Sequence, residues 1–176
     1  RVLELRDEDP YDYALVKRAF PPTGKGTVEF RVLLREMGND ILEFELHDVN
    51  NARALRLRFD PGHFGLTFDL GDTEEPPMAI QVNRWHEVKL AFDCGAGEYD
   101  VWVNGEKVRE RLGLDIDSPA LERMVFRTGA WRSDVRPLLL EGEPDAPGLE
   151  TEDLAAAGEK VPGSVFWIDE VRTTGE

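Results

Sequence analysis

The most regular feature of this chain is an alternation of hydrophobic and polar residues over short segments. Val28 to Leu34 alternates in this way, and Leu42 to Leu46, Leu55 to Phe59 and Phe64 to Phe68 repeat the pattern. A period of two predicts β-strands with one buried and one exposed face. Turn residues, most clearly Asp60-Pro61-Gly62, separate the segments.

The middle of the chain carries the strongest hairpin signal. Val88 to Phe92 and Tyr99 to Val103 predict two strands, and Asn104-Gly105 then provides the dipeptide preferred in tight hairpin turns, where both central residues need positive φ. Glu106 to Glu110 is the expected return strand. Two more strands are predicted at Met124 to Arg127 and Val165 to Val171.

Many short strands at regular spacing predict an all-β fold, a two-sheet antiparallel β-sandwich of the jelly-roll kind. With 176 residues, the chain is expected to form a single domain over 1–176. A long acidic loop is expected at about 132–163, because this stretch combines acids with Pro and Gly. A short helix is predicted within it, at Thr151 to Ala157.

Charge and composition exclude several kinds of partner. A net charge of -15 argues against nucleic acid and against an anionic membrane surface, which both require clustered Lys and Arg. No apolar run approaches the roughly 20 residues of a membrane span. Cys94 is the single cysteine, so no disulfide forms within the chain. The first residue is Arg1, and we expect the chain to be a mature or excised fragment.

Two sequence motifs resemble a known superfamily. Trp85-His86-Glu87-Val88 leads through Asp93 and Gly97 to Tyr99-Asp100-Val101-Trp102-Val103-Asn104-Gly105, and the chain closes on Ile168-Asp169-Glu170-Val171. This combination resembles the concanavalin A-like (laminin-G-like) lectin and glucanase superfamily. The resemblance implies carbohydrate binding by a jelly-roll module. It also implies an association with a secreted polysaccharide-degrading enzyme, hence an extracellular or periplasmic location, and a structural calcium ion.

The polar face of the strands is the predicted glycan-binding surface. Alternation directs Arg31, Arg56, Arg58 and Trp102 away from the core, and Arg35, Glu43, Glu45 and His47 with them. Trp offers a flat apolar surface to a sugar ring, and Arg holds a sugar carboxylate bidentately. An acidic polysaccharide or oligosaccharide is therefore the predicted ligand. The alternative is a charged face that only maintains solubility.

The other tryptophans have separate predicted roles. Trp131 and Arg132 stand at the mouth of the long loop and are predicted to contribute to ligand binding. Trp85 opens a strand before an apolar run, so it is predicted to pack in the core. Trp167 alternates with Phe166 and Ile168, which predicts that it is exposed or covered by the loop.

Glu43, Glu45 and His47 form the alternative, catalytic hypothesis. Residues at i and i+2 on a strand lie about 6.6–6.8 Å apart, and glycoside hydrolysis requires two neighbouring carboxylates. Hydrolases of the superfamily carry E-x-D-x-E or E-x-D-x-x-E on such a strand. Here the middle acid is Glu45 and the last position is His47, a departure that weighs against a glycoside hydrolase or polysaccharide lyase.

Asp7, Asp9 and Asp169 are the predicted metal ligands. Calcium takes several oxygen ligands, and first and last strands of a jelly roll commonly pair, which would bring these acids together. The alternative is unpaired surface acid.

The leading interpretation of the whole sequence is a non-catalytic carbohydrate-binding module attached to a linked catalytic domain. A structural module that packs on such a domain and binds no sugar is the other open reading.

Overall fold

The fold was obtained as a computed structural model, which describes residues 2–8, 13–36, 41–60, 65–68, 78–128 and 163–175. The predicted loop at about 132–163 and the predicted helix at Thr151 to Ala157 lie outside the described residues, apart from Gly163. Within the described ranges, no helix is long and apolar enough to cross a membrane.

Eleven strands are described. They are β1 (Leu3–Asp7), β2 (Leu15–Thr23), β3 (Lys25–Glu36), β4 (Leu42–Asp48), β5 (Arg53–Asp60), β6 (Gly65–Phe68), β7 (Trp85–Asp93), β8 (Glu98–Val103), β9 (Glu106–Gly113), β10 (Leu121–Thr128) and β11 (Ser164–Gly175).

The strands form two antiparallel sheets, which confirms the predicted all-β sandwich. Sheet A has the strand order β1-β11-β3-β7-β8-β9, and sheet B has the order β2-β10-β4-β5-β6. The predicted pairing of the first and last strands is also confirmed, since Leu3 lies opposite Ile168 and Asp7 opposite Ser164. Long connections separate most neighbours in each sheet, so distant segments of sequence meet side by side.

Aromatic rings from both sheets meet in the core. Phe30 of β3 lies 4.7 Å from Phe44 of β4 and 5.0 Å from Phe126 of β10, measured between ring centroids. Phe44 and Phe126 are 4.9 Å apart in sheet B. Such a ring cluster contributes strongly to stability, because truncating one buried Phe to Ala typically costs about 3–5 kcal/mol.

The hairpin between β8 and β9 has the predicted turn. Asn104 and Gly105 adopt φ values of 52° and 84°, the positive values that a tight two-residue hairpin turn requires. The side chain of Asn104 accepts a hydrogen bond from the backbone N–H of Glu87 at 3.0 Å, which attaches the turn to β7.

The alternation pattern did not predict the bounds of two strands at the edges of the sheets. β1 is only five residues long, and β2 contains Pro21-Pro22 just before its last residue, Thr23, where prolines usually mark a turn. Both are tolerated because they lie at sheet edges, where one side of the backbone needs no hydrogen-bond partner.

Candidate functional site

The predicted glycan-binding face is in fact two faces on opposite sides of the sandwich. Arg56 and Arg58 lie on β5, on the outer face of sheet B. Arg31 on β3 and Trp102 on β8 lie on the outer face of sheet A. Alternation correctly predicted that these side chains point away from the core, but it carries no information about which sheet a strand joins. They therefore do not form one site.

The face of β4 is not exposed as predicted. Glu43, Glu45 and His47 do point away from the core, yet all three are buried, and the Glu43 side chain retains 1% of its accessible surface. The reason is their position on the middle strand of sheet B, where long side chains from both neighbouring strands close over them.

Glu43 is surrounded by three arginines from the neighbouring strands. Arg127 of β10 donates through Nε to Glu43 Oε2 at 2.8 Å, and its Nη2 donates to the same oxygen. From β5, Arg56 Nη1 donates to Oε1 at 3.4 Å and Arg58 Nε lies 3.3 Å from that oxygen. The strand register produces this arrangement directly, because Arg127 and Arg58 are the residues opposite Glu43. A buried carboxylate is stable only with such compensation.

Glu45 is held in the same way by weaker contacts. Its Oε2 shares a hydrogen bond with His47 Nε2 at 2.9 Å, and its Oε1 lies 3.8 Å from Arg127 Nε and 3.9 Å from Arg53 Nη1. Burial raises the pKa of Glu45, but the hydrogen bond from His47 and the charges of Arg127 and Arg53 outweigh it, so the pKa is lowered overall.

This geometry does not favour the catalytic alternative. A glycosidase needs one carboxyl group with a raised pKa to protonate the leaving group. The pKa of Glu45 is lowered, and Glu43 is enclosed by three guanidinium groups. Both side chains instead hold arginines in place.

The outer face of sheet B carries a cluster of arginines in an acidic protein. Four arginines, Arg53, Arg56, Arg58 and Arg127, contact the two glutamates of β4. Arg53 Nε also lies 3.5 Å from a carboxylate oxygen of Asp115. The side chain of Arg58 is 39% exposed, the most of the four. Tyr13, 52% exposed, lies with its ring 5.8 Å from the Arg127 guanidinium carbon.

The outer face of sheet A carries tryptophans paired with cations. Trp102 of β8 lies between Lys89 of β7 and Lys107 of β9, whose ammonium groups are 5.5 Å and 4.9 Å from the ring centroid. Both lysines are opposite Trp102 in the strand register, one on each side. The faces of this indole ring are thus occupied by the protein's own cations, which leaves its edge and N–H for a ligand.

Trp85 and Trp167 belong to the same face. The prediction that Trp85 packs in the core is wrong, because it is half-buried on the outer face, 5.1 Å from the Arg31 guanidinium. The first residue of a strand can point either way, and the following alternation places Val88 and Leu90 inside instead. Trp167 is half-buried on the outer face, 4.7 Å from the Arg35 guanidinium.

The described residues do not fit the expected calcium site. Asp7 lies opposite Ser164, five residues before Asp169, which corresponds to about 16 Å along β11. Asp7 is buried and accepts a hydrogen bond from the hydroxyl of Thr128. Within the part of the chain that the structure describes, no three potential ligands group together. Asp9 lies outside that part, as do Trp131 and Arg132 of the predicted binding set.

Sequence reasoning missed Arg127 and Arg53. Arg127 alternates with the core residue Phe126, so its outward direction was readable from the sequence. The sequence did not show that β10 pairs with β4. The first residues of these two strands, Leu121 and Leu42, are 79 positions apart. Tyr13 precedes the unpredicted strand β2 and gave no signal.

The comparisons with known proteins agree with this architecture. The family described as "Sialidase-like, CBM domain" matches residues 1–136. A solved structure titled "Sialidase" shares 27% sequence identity and superimposes with a TM-score of 0.83, covering 99% of this chain and 15% of its own. The chain thus spans about 15% of the length of that sialidase. No curated protein sequence matches the chain.

More distant structures share the fold alone. The apo Crh5 transglycosylase has a TM-score of 0.59 at 14% identity, with 98% of this chain and 72% of that chain covered. Sheep galectin-11 has a TM-score of 0.53 at 10% identity, with 90% and 96% covered. The family match and the sialidase structure bear out the resemblance to carbohydrate-binding jelly-roll modules, and these distant neighbours share the sandwich fold. The family match over most of the sequence is decisive, and the chain belongs to the sialidase-like family of carbohydrate-binding module (CBM) domains.

Proposed function

We propose that the chain is a non-catalytic module that binds a carboxylate-bearing glycan on the outer face of sheet B. The observation that supports this most strongly is the group of four arginines on that face, in a chain whose net charge is -15. Clustered guanidinium groups recognise carboxylates through paired hydrogen bonds.

Arg58 is the side chain proposed to contact the sugar carboxylate. Its side chain is 39% exposed, and its position is fixed because Glu43 Oε1 lies 3.3 Å from its Nε. Arg127 and Arg56 are 8% and 13% exposed and serve to hold Glu43. The exposed ring of Tyr13 beside Arg127 supplies an apolar surface for the sugar ring.

A carboxylate-bearing sugar can be a sialic acid or a uronate, and a binding experiment separates the two. Isothermal titration calorimetry with sialyllactose and with trigalacturonate gives each affinity. The Arg58→Gln variant should weaken binding of the preferred acidic sugar at least about tenfold, because a charge-assisted hydrogen bond contributes about 1.5–3 kcal/mol.

The matched control is Arg111→Gln. Arg111 lies on β9 of sheet A, is 75% exposed and pairs with Glu98, so this change removes the same charge elsewhere. It should leave the affinity unchanged. Unaltered binding of both acidic sugars to the Arg58→Gln variant, with the fold intact by thermal melting, would show that this face is not the site.

The accessory role is a further part of the proposal. It is supported by the similarity of the whole chain to a segment of a much longer protein titled "Sialidase". We expect the coding sequence beside this segment to encode a catalytic domain, and the protein to act outside the cytoplasm, in the extracellular space or periplasm. Sequencing the complete open reading frame tests both points, and a reading frame with no second domain would contradict the first.

A further inference from the structure

A groove crosses the outer face of sheet A, on the side of the sandwich opposite the arginine cluster. Its volume is about 470 Å³, within the range of about 300–1,000 Å³ that is typical of small-molecule sites. Trp102 lines the groove together with six charged residues from β3, β7 and β11: Glu29, Arg31, Glu87, Lys89, Glu170 and Arg172.

The charges along this groove cancel. Three acids and three bases line it, and each acid has a cationic neighbour. Glu170 lies 3.5 Å from Arg31 and 3.7 Å from Arg172, and Glu29 lies 3.7 Å from Lys89. A groove of zero net charge gives no net Coulomb attraction to an anionic sugar.

Two hydrogen-bond donors along the groove have no protein acceptor. Nε of Arg31 is buried without a hydrogen bond, and the nearest carboxylate oxygen, on Glu87, is 4.0 Å away. The indole N–H of Trp102 also has no hydrogen-bond partner among the described residues, whereas that of Trp167 donates to Glu4 at 2.9 Å. Buried polar atoms without a partner are rare in folded proteins, and Arg31 Nε is such an atom, whereas the Trp102 N–H is open to solvent.

The backbone of β11 is irregular where it borders the groove. From Asp169 to Arg172, β11 advances three residues while the paired segment of β3 advances two, so the strand contains a β-bulge. Glu170 occupies the bulge with φ of 51°, a value uncommon for a residue with a side chain. Bulges and such strained positions are frequent beside binding sites, where they redirect a side chain. Here the bulge places the Glu170 carboxylate beside Arg31.

We propose that this groove is a second saccharide site, which takes an uncharged, hydroxyl-rich sugar. A hydroxyl group both donates and accepts, so it fits between paired acids and bases without disturbing their charge balance. It also supplies the acceptors that Arg31 Nε and the Trp102 indole lack. Because Lys89 and Lys107 cover the faces of Trp102, the indole contributes through its N–H and edge rather than by stacking.

An NMR titration of the indole N–H signals tests this site. The chain has four tryptophans, and the Trp102→Phe variant assigns the Trp102 signal by its disappearance. Addition of cellobiose or lactose should shift the Trp102 signal, and raising NaCl from about 0.05 to about 0.5 M should leave the affinity unchanged. Arg31→Gln and Glu170→Gln should each weaken the affinity about tenfold, the loss expected for a hydrogen bond to a charged group.

The controls separate this site from the arginine cluster of sheet B. Arg58→Gln should not alter the shift caused by the neutral sugars, and Arg31→Gln should not alter binding of the acidic ones. A Trp102 signal that neither sugar moves, or a shift that survives both groove variants, would overturn the second site. A Trp102 signal that shifts when a neighbouring domain of a longer chain is added, but not when sugars are added, would overturn it equally. None of these results depends on whether sheet B binds an acidic glycan.

Discussion

The outer faces of the two sheets follow the same alternating pattern and end as opposite kinds of surface. On sheet B, the central acids are enclosed by arginines, and Glu43 retains 1% of its side-chain surface. On sheet A, the charged side chains also form pairs, but they remain in contact with water, as with Glu87 at 69% exposure. A side chain that points away from the core is therefore not necessarily exposed.

Neighbouring strands cause the difference. Glu43 lies between two strands that each place an arginine directly opposite it, so guanidinium groups close over the acid from both sides. On sheet A, residues of different kinds lie opposite one another. Lys89, for example, lies opposite the acid Glu29 on one side and opposite Trp102 on the other. There, cations such as Lys89 lie against indole rings, and the ion pairs remain in contact with water. Buried charges depend strictly on their partners, whereas exposed pairs contribute little.

The largest expected effect concerns Glu43. The Glu43→Gln change leaves three arginines around an uncharged amide, and the free energy of unfolding should fall by about 3–5 kcal/mol. The matched change on sheet A, Glu170→Gln, removes an exposed partner and should cost at most about 1 kcal/mol. Urea denaturation of both variants measures the contrast. Equal losses would break the distinction between the two faces.

The next expected effect concerns acid stability and Glu45. Because its pKa is lowered in the folded protein, Glu45 contributes stability that is fully present above its ordinary pKa of 4.5 and is lost as the pH falls through the folded value. Glu45→Gln should therefore lower the free energy of unfolding near pH 7. As the pH then falls below 4.5, the free energy of unfolding should decrease less in this variant than in the unmodified chain. Unfolding free energies measured across this range provide the test, and parallel curves for the two proteins would contradict it.

The smallest expected effect concerns Trp102. The Trp102→Ala change removes contacts with Lys89 and Lys107, and we expect a loss of about 1–2 kcal/mol, since each partly exposed cation–π contact contributes about 0.5–1 kcal/mol. A double-mutant cycle with Lys89→Met isolates one contact. Zero coupling between the two positions would mean that the pairing of Trp and cation on sheet A has no energetic role.

Much of the fold was predictable because alternation and turn residues are local signals. The hairpin around Asn104-Gly105 and the inward direction of Phe44 and Leu46 were confirmed. The candidate site was less predictable, because its key contacts join Glu43 to Arg127, 84 positions later in the sequence. Trp85 shows the same limit at the start of a strand, where no preceding alternation fixes its direction.

The all-β sandwich, and the side of each alternating strand that faces the core, followed from the sequence alone, because a period of two requires only neighbouring residues. Three features required the folded structure: Arg58 and Arg31 belong to different surfaces, Glu43 is buried, and Trp102 lies between two lysines. Strand order and register determine these contacts, and both depend on residues that are far apart along the chain.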